Sequence, residues 1–165
     1  MSEDTTRSAP FFTPTAEDRE AMVEDIGYEI QQLRRAMAAA ASYDPDDPTG
    51  WLIAEAGLIH ARCLMEFLFL PSHLPREGQQ ATARAAWYTR SRDWSPAIRR
   101  REFERQLEVS VSEVKRRIDR RVCHLALDRS STERAHLTEI GPAVDTMWRS
   151  MHANLLPEWQ DRFPR

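Results

Sequence analysis

Twenty residues, Trp51-Leu-Ile-Ala-Glu-Ala-Gly-Leu-Ile-His-Ala-Arg-Cys-Leu-Met-Glu-Phe-Leu-Phe-Leu70, run without a proline, and only Glu55, His60, Arg62 and Glu66 interrupt their apolar character. A membrane span needs about 20 consecutive apolar residues and tolerates few ionisable ones. Four such groups at these positions therefore predict a helix buried inside a bundle of other helices, and no membrane association. On a wheel of about 100° per residue centred on His60, Ile53, Ala56, Leu64 and Phe67 gather around the histidine. Glu55, Arg62 and Glu66 form a narrow polar edge. Pro71 closes the segment.

Helical signals continue on both sides. Upstream, Tyr43-Asp-Pro-Asp-Asp-Pro-Thr-Gly50 is turn chemistry, because each proline disfavours helical backbone in the residue before it. Before that turn, Thr15-x-x-Asp18 resembles a capping box, and Met22, Ile26, Ile30, Leu33, Met37 and Ala40 make an apolar stripe that predicts a helix from Thr15 to about Ala41. Downstream, residues 71–80 read as a loop leading to a short helical piece at Ala81–Tyr88. Ser95-Pro96 and Ser110-x-x-Glu113 then mark two helix starts, predicting helices over Pro96–Leu107 and Val111–Asp128. A last helix is expected over Thr138–Leu155, with Pro142 tolerated only in or near its first turn, where N–H groups lack partners anyway. The tail Leu156-Pro-Glu-Trp159 is expected to fold back through its tryptophan. The expected architecture is an all-α, up-and-down bundle of four main helices plus one or two short ones, with Trp51–Leu70 and Val111–Asp128 as the inner pair. Residues 1–14 are expected to form a flexible arm that Phe11 and Phe12 could pin to the body, and residues 15–165 one domain.

Composition agrees. Five glycines and a 41% hydrophobic share in 165 residues suit one helical core rather than a β-protein or a disordered chain. Cys63 and Cys123 sit in helical patterns with no CxxC pair, so neither a disulfide framework nor a zinc site is read, and a reducing cytoplasm fits. The stretch MSEDTTRSAPFFTPT lacks a basic region followed by an apolar run, so no signal peptide is read. Net charge is −3, unevenly spread: residues 1–50 hold four arginines against eleven acids, a balance of −7, while residues 90–129 hold eleven arginines and one lysine against seven acids, a balance of +5. Either an acidic first helix packs against a basic later one, or a basic patch faces a polyanion.

The basic region contains the candidate site. With Ile118 at the centre of the apolar stripe Leu107, Val111, Val114, Val122 and Leu125, the side chains of Arg117, Arg120, Arg121, His124 and Asp128 fall on one flank. Guanidinium groups hold a phosphate bidentately and an imidazole moves a proton near neutral pH, which together suffice for metal-free RNA cleavage. In that reading Arg117 and Arg120 stabilise the phosphorane, His124 is the general acid or base, and Arg116 and Arg121 bind RNA. The competing reading is a solvated basic face paired with the first helix's acids Glu17, Asp18, Glu24, Asp25 and Glu29. His60 reads as a core histidine bonded to a carbonyl or carboxylate, and Arg62 with Glu66 as an intrahelical pair. His60, Arg62, Asp119 and His124 also suit an internal polar network fixing the inner helices. Glu133-x-x-His136 is half of a di-iron motif without its second copy, so no metal and no cofactor is expected.

Two stretches resemble a family. His60-Ala61-Arg62-Cys63-Leu64-Met65-Glu66-Phe67-Leu68 is similar to the "HARxLxxFL" signature of small uncharacterised bacterial helical proteins. Ile118-Asp119-Arg120-Arg121-Val122-Cys123-His124-Leu125, followed by Arg129, is similar to their "INKxxAHL" signature, with Asp119 for the asparagine and Arg120 for the lysine. Trp94 falls where they carry a tryptophan. More distantly, an Arg and a His on one late helix of a bundle resemble the HEPN superfamily, whose motif is an Arg, four to six residues, then His. Arg117 and His124 meet the longest spacing, with Ile118 where a polar residue usually stands. That resemblance implies a bacterial defence or toxin–antitoxin protein, RNA as ligand, a homodimer and a cognate antitoxin or partner protein. The alternative expectation is a non-enzymatic dimeric interaction or scaffold bundle.

Overall fold

The computed structural model describes residues 14–44, 47–70, 84–90, 94–120 and 132–165. Among these the chain forms five α-helices: α1 (Ala16–Ala40), α2 (Pro48–Phe69), α3 (Pro96–Leu107), α4 (Val111–Ile118) and α5 (Thr132–Ala153), with 3₁₀ turns at Ala85–Trp87 and Pro157–Trp159. The all-α bundle is as expected. The arm with Phe11 and Phe12, the loop 71–80 and the segment holding Arg121, Cys123, His124 and Asp128 lie outside the described residues.

Local chemistry sets the helix ends. Thr15 and Asp18 complete a reciprocal capping box, the Asp18 N–H donating to Thr15 Oγ1 at 3.0 Å and the Thr15 N–H to Asp18 Oδ2 at 2.8 Å. These bonds hold the Asp18 carboxyl below the usual carboxylate range. Helix α2 starts three residues before Trp51, because Asp47 caps it through the Thr49 N–H at 2.8 Å and Pro48 occupies the first turn. Two helices, not one, follow Ser95: α3 ends at Glu108, a left-handed residue with φ 54°, and Ser110 then caps α4.

The inner pair differs from expectation. Helix α2 packs most extensively against α1 on one side and α5 on the other, while α4 meets only its edge. Its buried line is Ala54, Leu58, Ala61, Met65 and Leu68, and Ala56, placed by the wheel beside the histidine on the apolar side, is exposed. A helix apolar nearly all round offers several candidate faces, and the two long partners select among them. Gly57 allows the closest approach: a Cβ there would lie 2.8 Å from Ala36 Cβ on α1 and 2.8 Å from Leu137 Cδ1 on α5.

Helix α5 begins six residues earlier than expected, so Pro142 stands in the helix interior rather than near its first turn. Proline there removes one donor and crowds the preceding turn, at a cost of about 3 kcal/mol. The apolar face on both sides, with Leu137, Ile140, Ala143, Val144, Met147, Trp148 and Met151 buried, offsets it.

The tail returns as expected. Trp159 and Phe163 are buried and meet Tyr88 edge-on at 5.2 and 5.1 Å between ring centres, with Phe67 and Trp148 completing the cluster. The Leu156 N–H donates to the Tyr88 carbonyl at 2.8 Å, and the Trp148 indole N–H to the Pro164 carbonyl at 3.0 Å. Tyr88 hydroxyl donates to the Arg19 carbonyl at 3.0 Å, and burial pushes its pKa upward.

Gly57→Ala is expected to destabilise the fold, since overpacking typically costs about 1–3 kcal/mol and a gain of at most about 1 kcal/mol in helix propensity does not cancel it. Gly27→Ala, where the new Cβ meets only Pro164 at 3.4 Å, is expected to be neutral or stabilising. Denaturant midpoints of the two variants, measured side by side, check the contrast.

Candidate functional site

The polar edge of α2 faces α4. Arg62 Nε lies 2.5 Å from Asp119 Oδ1, and Arg62 Nη1 lies 3.4 Å from Glu66 on its own helix. The Nε–H is shielded from water yet not directed at the oxygen, so the contact to Asp119 is Coulombic rather than an aligned hydrogen bond. Lys115 Nζ donates to Glu66 Oε1 at 2.6 Å. Burial opposes the charge on Arg62, but Glu66 and Asp119 outweigh it and raise the guanidinium's pKa further. Helices α2 and α4 are thus joined by a ladder of two cations and two carboxylates.

His60 belongs to a different contact. Its Nδ1 stands 2.7 Å from Glu29 Oε2 on α1, and its ring meets Tyr28 edge-on with centres 5.8 Å apart. The expected carboxylate partner exists but comes from the neighbouring helix. Among the described residues His60 does not join the Arg62–Asp119 pair, which divides the expected polar network into two separate contacts. Beside it, Glu29, Cys63 and Glu66 line an apolar-walled cleft of about 200 Å³. Burial pushes the pKa of the Cys63 thiol up, and Glu29 and Glu66 reinforce the shift, which favours the protonated form.

Two arginines of the basic region are engaged locally. Arg116 and Arg117 both pair with Glu113 one turn earlier, Arg117 Nε at 3.1 Å from Glu113 Oε1. Hydrogen bonds from these two arginines hold the Glu113 carboxyl below the usual carboxylate range. Arg120 is exposed, and no ion pair to it occurs among the described residues. Arg121 and His124, the remaining members of the expected site, lie outside the described residues. The charge split between the chain's first and later parts is not resolved by helix pairing: no ion pair joins α1 to α3 or α4 among the described residues. Instead Glu29 meets His60, Asp18 caps its own helix and Glu20 meets Arg162.

The sequence pattern signalled part of this arrangement. The expected polar network already placed Arg62 with Asp119, and i,i+4 spacing marks Arg62 with Glu66, Glu113 with Arg117 and Asp145 with Arg149. Missed were the cross-helix partners Lys115 with Glu66 and Arg34 with Asp145, since Lys115, the chain's single lysine, stood in a charge run indistinguishable from solvated surface.

No group of three or more metal-ligating side chains occurs among the described residues, and no helix among them is long and apolar enough to cross a membrane. Fold and site together define an all-α bundle whose charged groups around α4 are engaged with one another. Set against known proteins, the chain matches no family model, no curated protein and no solved structure.

Because its folded-state pKa is depressed, the Glu113 pairing stabilises α4 above the unfolded carboxyl's range, near about 4.3, and that stabilisation is lost as pH falls through the folded value. An NMR titration is expected to place the Glu113 carboxyl midpoint below about 4.3, and Arg116→Gln with Arg117→Gln to return it to the ordinary range. An ordinary midpoint in the native protein would show the arginines unengaged.

Proposed function

We propose that this chain is a non-enzymatic interaction bundle that works as a homodimer. The observation that carries this reading is the pairing around α4: Arg62 meets Asp119, Lys115 meets Glu66, and Arg116 and Arg117 share Glu113. Cations so engaged hold helices in place rather than await a phosphate, since a guanidinium must leave its carboxylate before it can clamp another oxyanion. Arg62 and Glu66 of the first signature-like stretch therefore hold α4 on α2, through Asp119 of the second and Lys115.

The same bundle leaves large apolar groups in water. Leu52 is 64% exposed, Ile59 44% and Tyr28 55%, and Ala56 lies between the first two on α2. Leu52, Ala56 and Ile59 follow i, i+4, i+7 spacing and make a stripe on one side of the helix. That stripe is self-complementary: an antiparallel crossing about Ala56 sets Leu52 of one copy against Ile59 of the other, and a small residue at the axis lets the helices approach. A second copy is the occupant this symmetry favours. The native protein is expected to sediment at twice the 19.2 kDa chain mass, and Ile59→Glu at the single-chain mass with its helical circular dichroism intact. A native protein that stays at the single-chain mass at every concentration would remove the dimer.

One observation favours the other reading, a HEPN-like RNA-binding protein or metal-independent ribonuclease of a defence or toxin–antitoxin system. Arg120, four residues before His124 in the sequence, is exposed and has no ion pair among the described residues. If the flank is catalytic, pure protein cleaves total RNA in EDTA and both His124→Ala and Arg120→Ala abolish the cleavage. On the interaction reading none of the three proteins cleaves.

A further inference from the structure

We infer that the second copy seats across the groove between α1 and α2, with the Tyr28 ring as its outer anchor, an inference that rests on the dimer reading. The groove has a volume of about 240 Å³ and is walled by Ala36 and Ala39 of α1 and by Ile53, Ala56 and His60 of α2. It therefore opens beside the apolar stripe and shares Ala56 with it. Gln32 and Arg35 supply a polar rim, where the exposed Arg35 keeps its guanidinium in water while its methylene stem covers apolar surface.

Area decides that the contact extends beyond the stripe. A stable interface of standard size covers about 800 Å² of each partner. Leu52 at 64% exposed and Ile59 at 44% offer on the order of 100 Å² between them, taking about 60–120 Å² for a whole side chain of this kind. The shortfall has to come from one side of α2 or the other. On the α4 side stand Arg62, Glu66 and Lys115, engaged with one another and with Asp119, and covering such charges carries a desolvation cost. On the α1 side stand the small walls of the groove and Tyr28, which is 55% exposed. The second copy therefore extends toward α1.

Symmetry places the contact. On the α2 wheel Ile53 and His60 flank Ala56 on the groove side, as Leu52 and Ile59 flank it on the other. An antiparallel two-fold crossing about Ala56 thus lays Ile53 of one copy over His60 of the other, just as it sets Leu52 against Ile59. The Tyr28 ring meets His60 edge-on with centres 5.8 Å apart, so it stands at the height where the other copy's Ile53 arrives and closes the far wall of the contact. Glu29, 2.7 Å from His60 Nδ1, holds the imidazole against which Tyr28 leans. That wall is therefore set before the second copy arrives, which lowers the ordering cost of association. A tyrosine suits the position, since its ring brings a large apolar area with few rotatable bonds and its hydroxyl can stay in water.

The test is sedimentation equilibrium of the full chain over a range of concentrations, with circular dichroism to confirm that each variant keeps its helices. Tyr28→Ala is expected to weaken dimerisation about tenfold, as loss of an aromatic anchor does. Tyr28→Phe is expected to leave it unchanged, because the ring rather than the hydroxyl makes the contact. Ala39→Arg, which fills the groove from within the same copy, is expected to weaken it as well. Arg101→Glu, at an exposed position on α3 outside the groove, is expected to have no effect. A dimer that Ile59→Glu splits, but that keeps its native strength in either Tyr28→Ala or Ala39→Arg, overturns this inference alone, as does Tyr28→Phe or Arg101→Glu weakening it as much as Tyr28→Ala. A native protein at the single-chain mass at every concentration removes the dimer reading and this inference with it.

Discussion

Burial of α2 on two sides is the constraint from which the bundle follows. A helix with so few polar positions needs long apolar neighbours, and among the described residues α1 and α5 have the length. Their approach is limited at one point, where Gly57 lets the Ala36 and Leu137 side chains close in from opposite sides. With those three helices fixed, the remaining elements occupy the ends. Helix α3 contributes one buried side chain, Phe103, against Phe69 at 5.0 Å, and Trp94 lies beneath the Arg99 guanidinium at 5.4 Å. The returning tail fills the other side through Trp159 and Phe163.

Periodicity made the helices legible because apolar spacing and caps are local signals. Thr15 with Asp18, Ser95 with Pro96 and Ser110 with Glu113 each act within one turn, and the structure honours all three boundaries. Pro142 misled for the opposite reason. Its effect on a helix depends on how much apolar surface lies on either side, and the seven buried side chains of α5 are a tertiary quantity. The same holds for α2, where a wheel cannot choose among faces that are nearly all apolar and placed Ala56 on the side that the packing exposes.

Charge was legible only as totals. A balance of −7 in one third of a chain and +5 in another suggests attraction between distant helices, yet screening confines strong pairing to a few ångströms. The arginines accordingly find acids on their own helices: Arg99 with Glu102 at 2.8 Å, Arg100 with Glu104 at 3.0 Å, and Arg117 with Glu113 at 3.1 Å. Glu104 also accepts the Val111 N–H at 2.9 Å, and although burial opposes it, these bonds hold its carboxyl below the usual range. The α3–α4 joint is therefore electrostatic. Of the expected cluster of cations, Arg117 and Arg120 lie among the described residues, and the carboxylate that Arg117 meets, Glu113, is invisible to a count taken over forty residues.

Exposed pairs of this kind contribute little to stability, about 0–1 kcal/mol each, which leaves orientation as their main effect. Arg62 with Asp119 and Lys115 with Glu66 reinforce the orientation that the short α4 takes from its single apolar face of Val111, Val114 and Ile118. Asp145 follows a stricter rule. Sealed between α1 and α5, it must keep at least one cation, and Arg34 meets that need from within the seam. Arg149 lies one turn further along α5 and reaches the same carboxylate from the solvent side. The second guanidinium exceeds what the buried charge requires. The desolvation cost of the seam is therefore already met by Arg34, and Arg149 covers the same carboxylate from the solvent side.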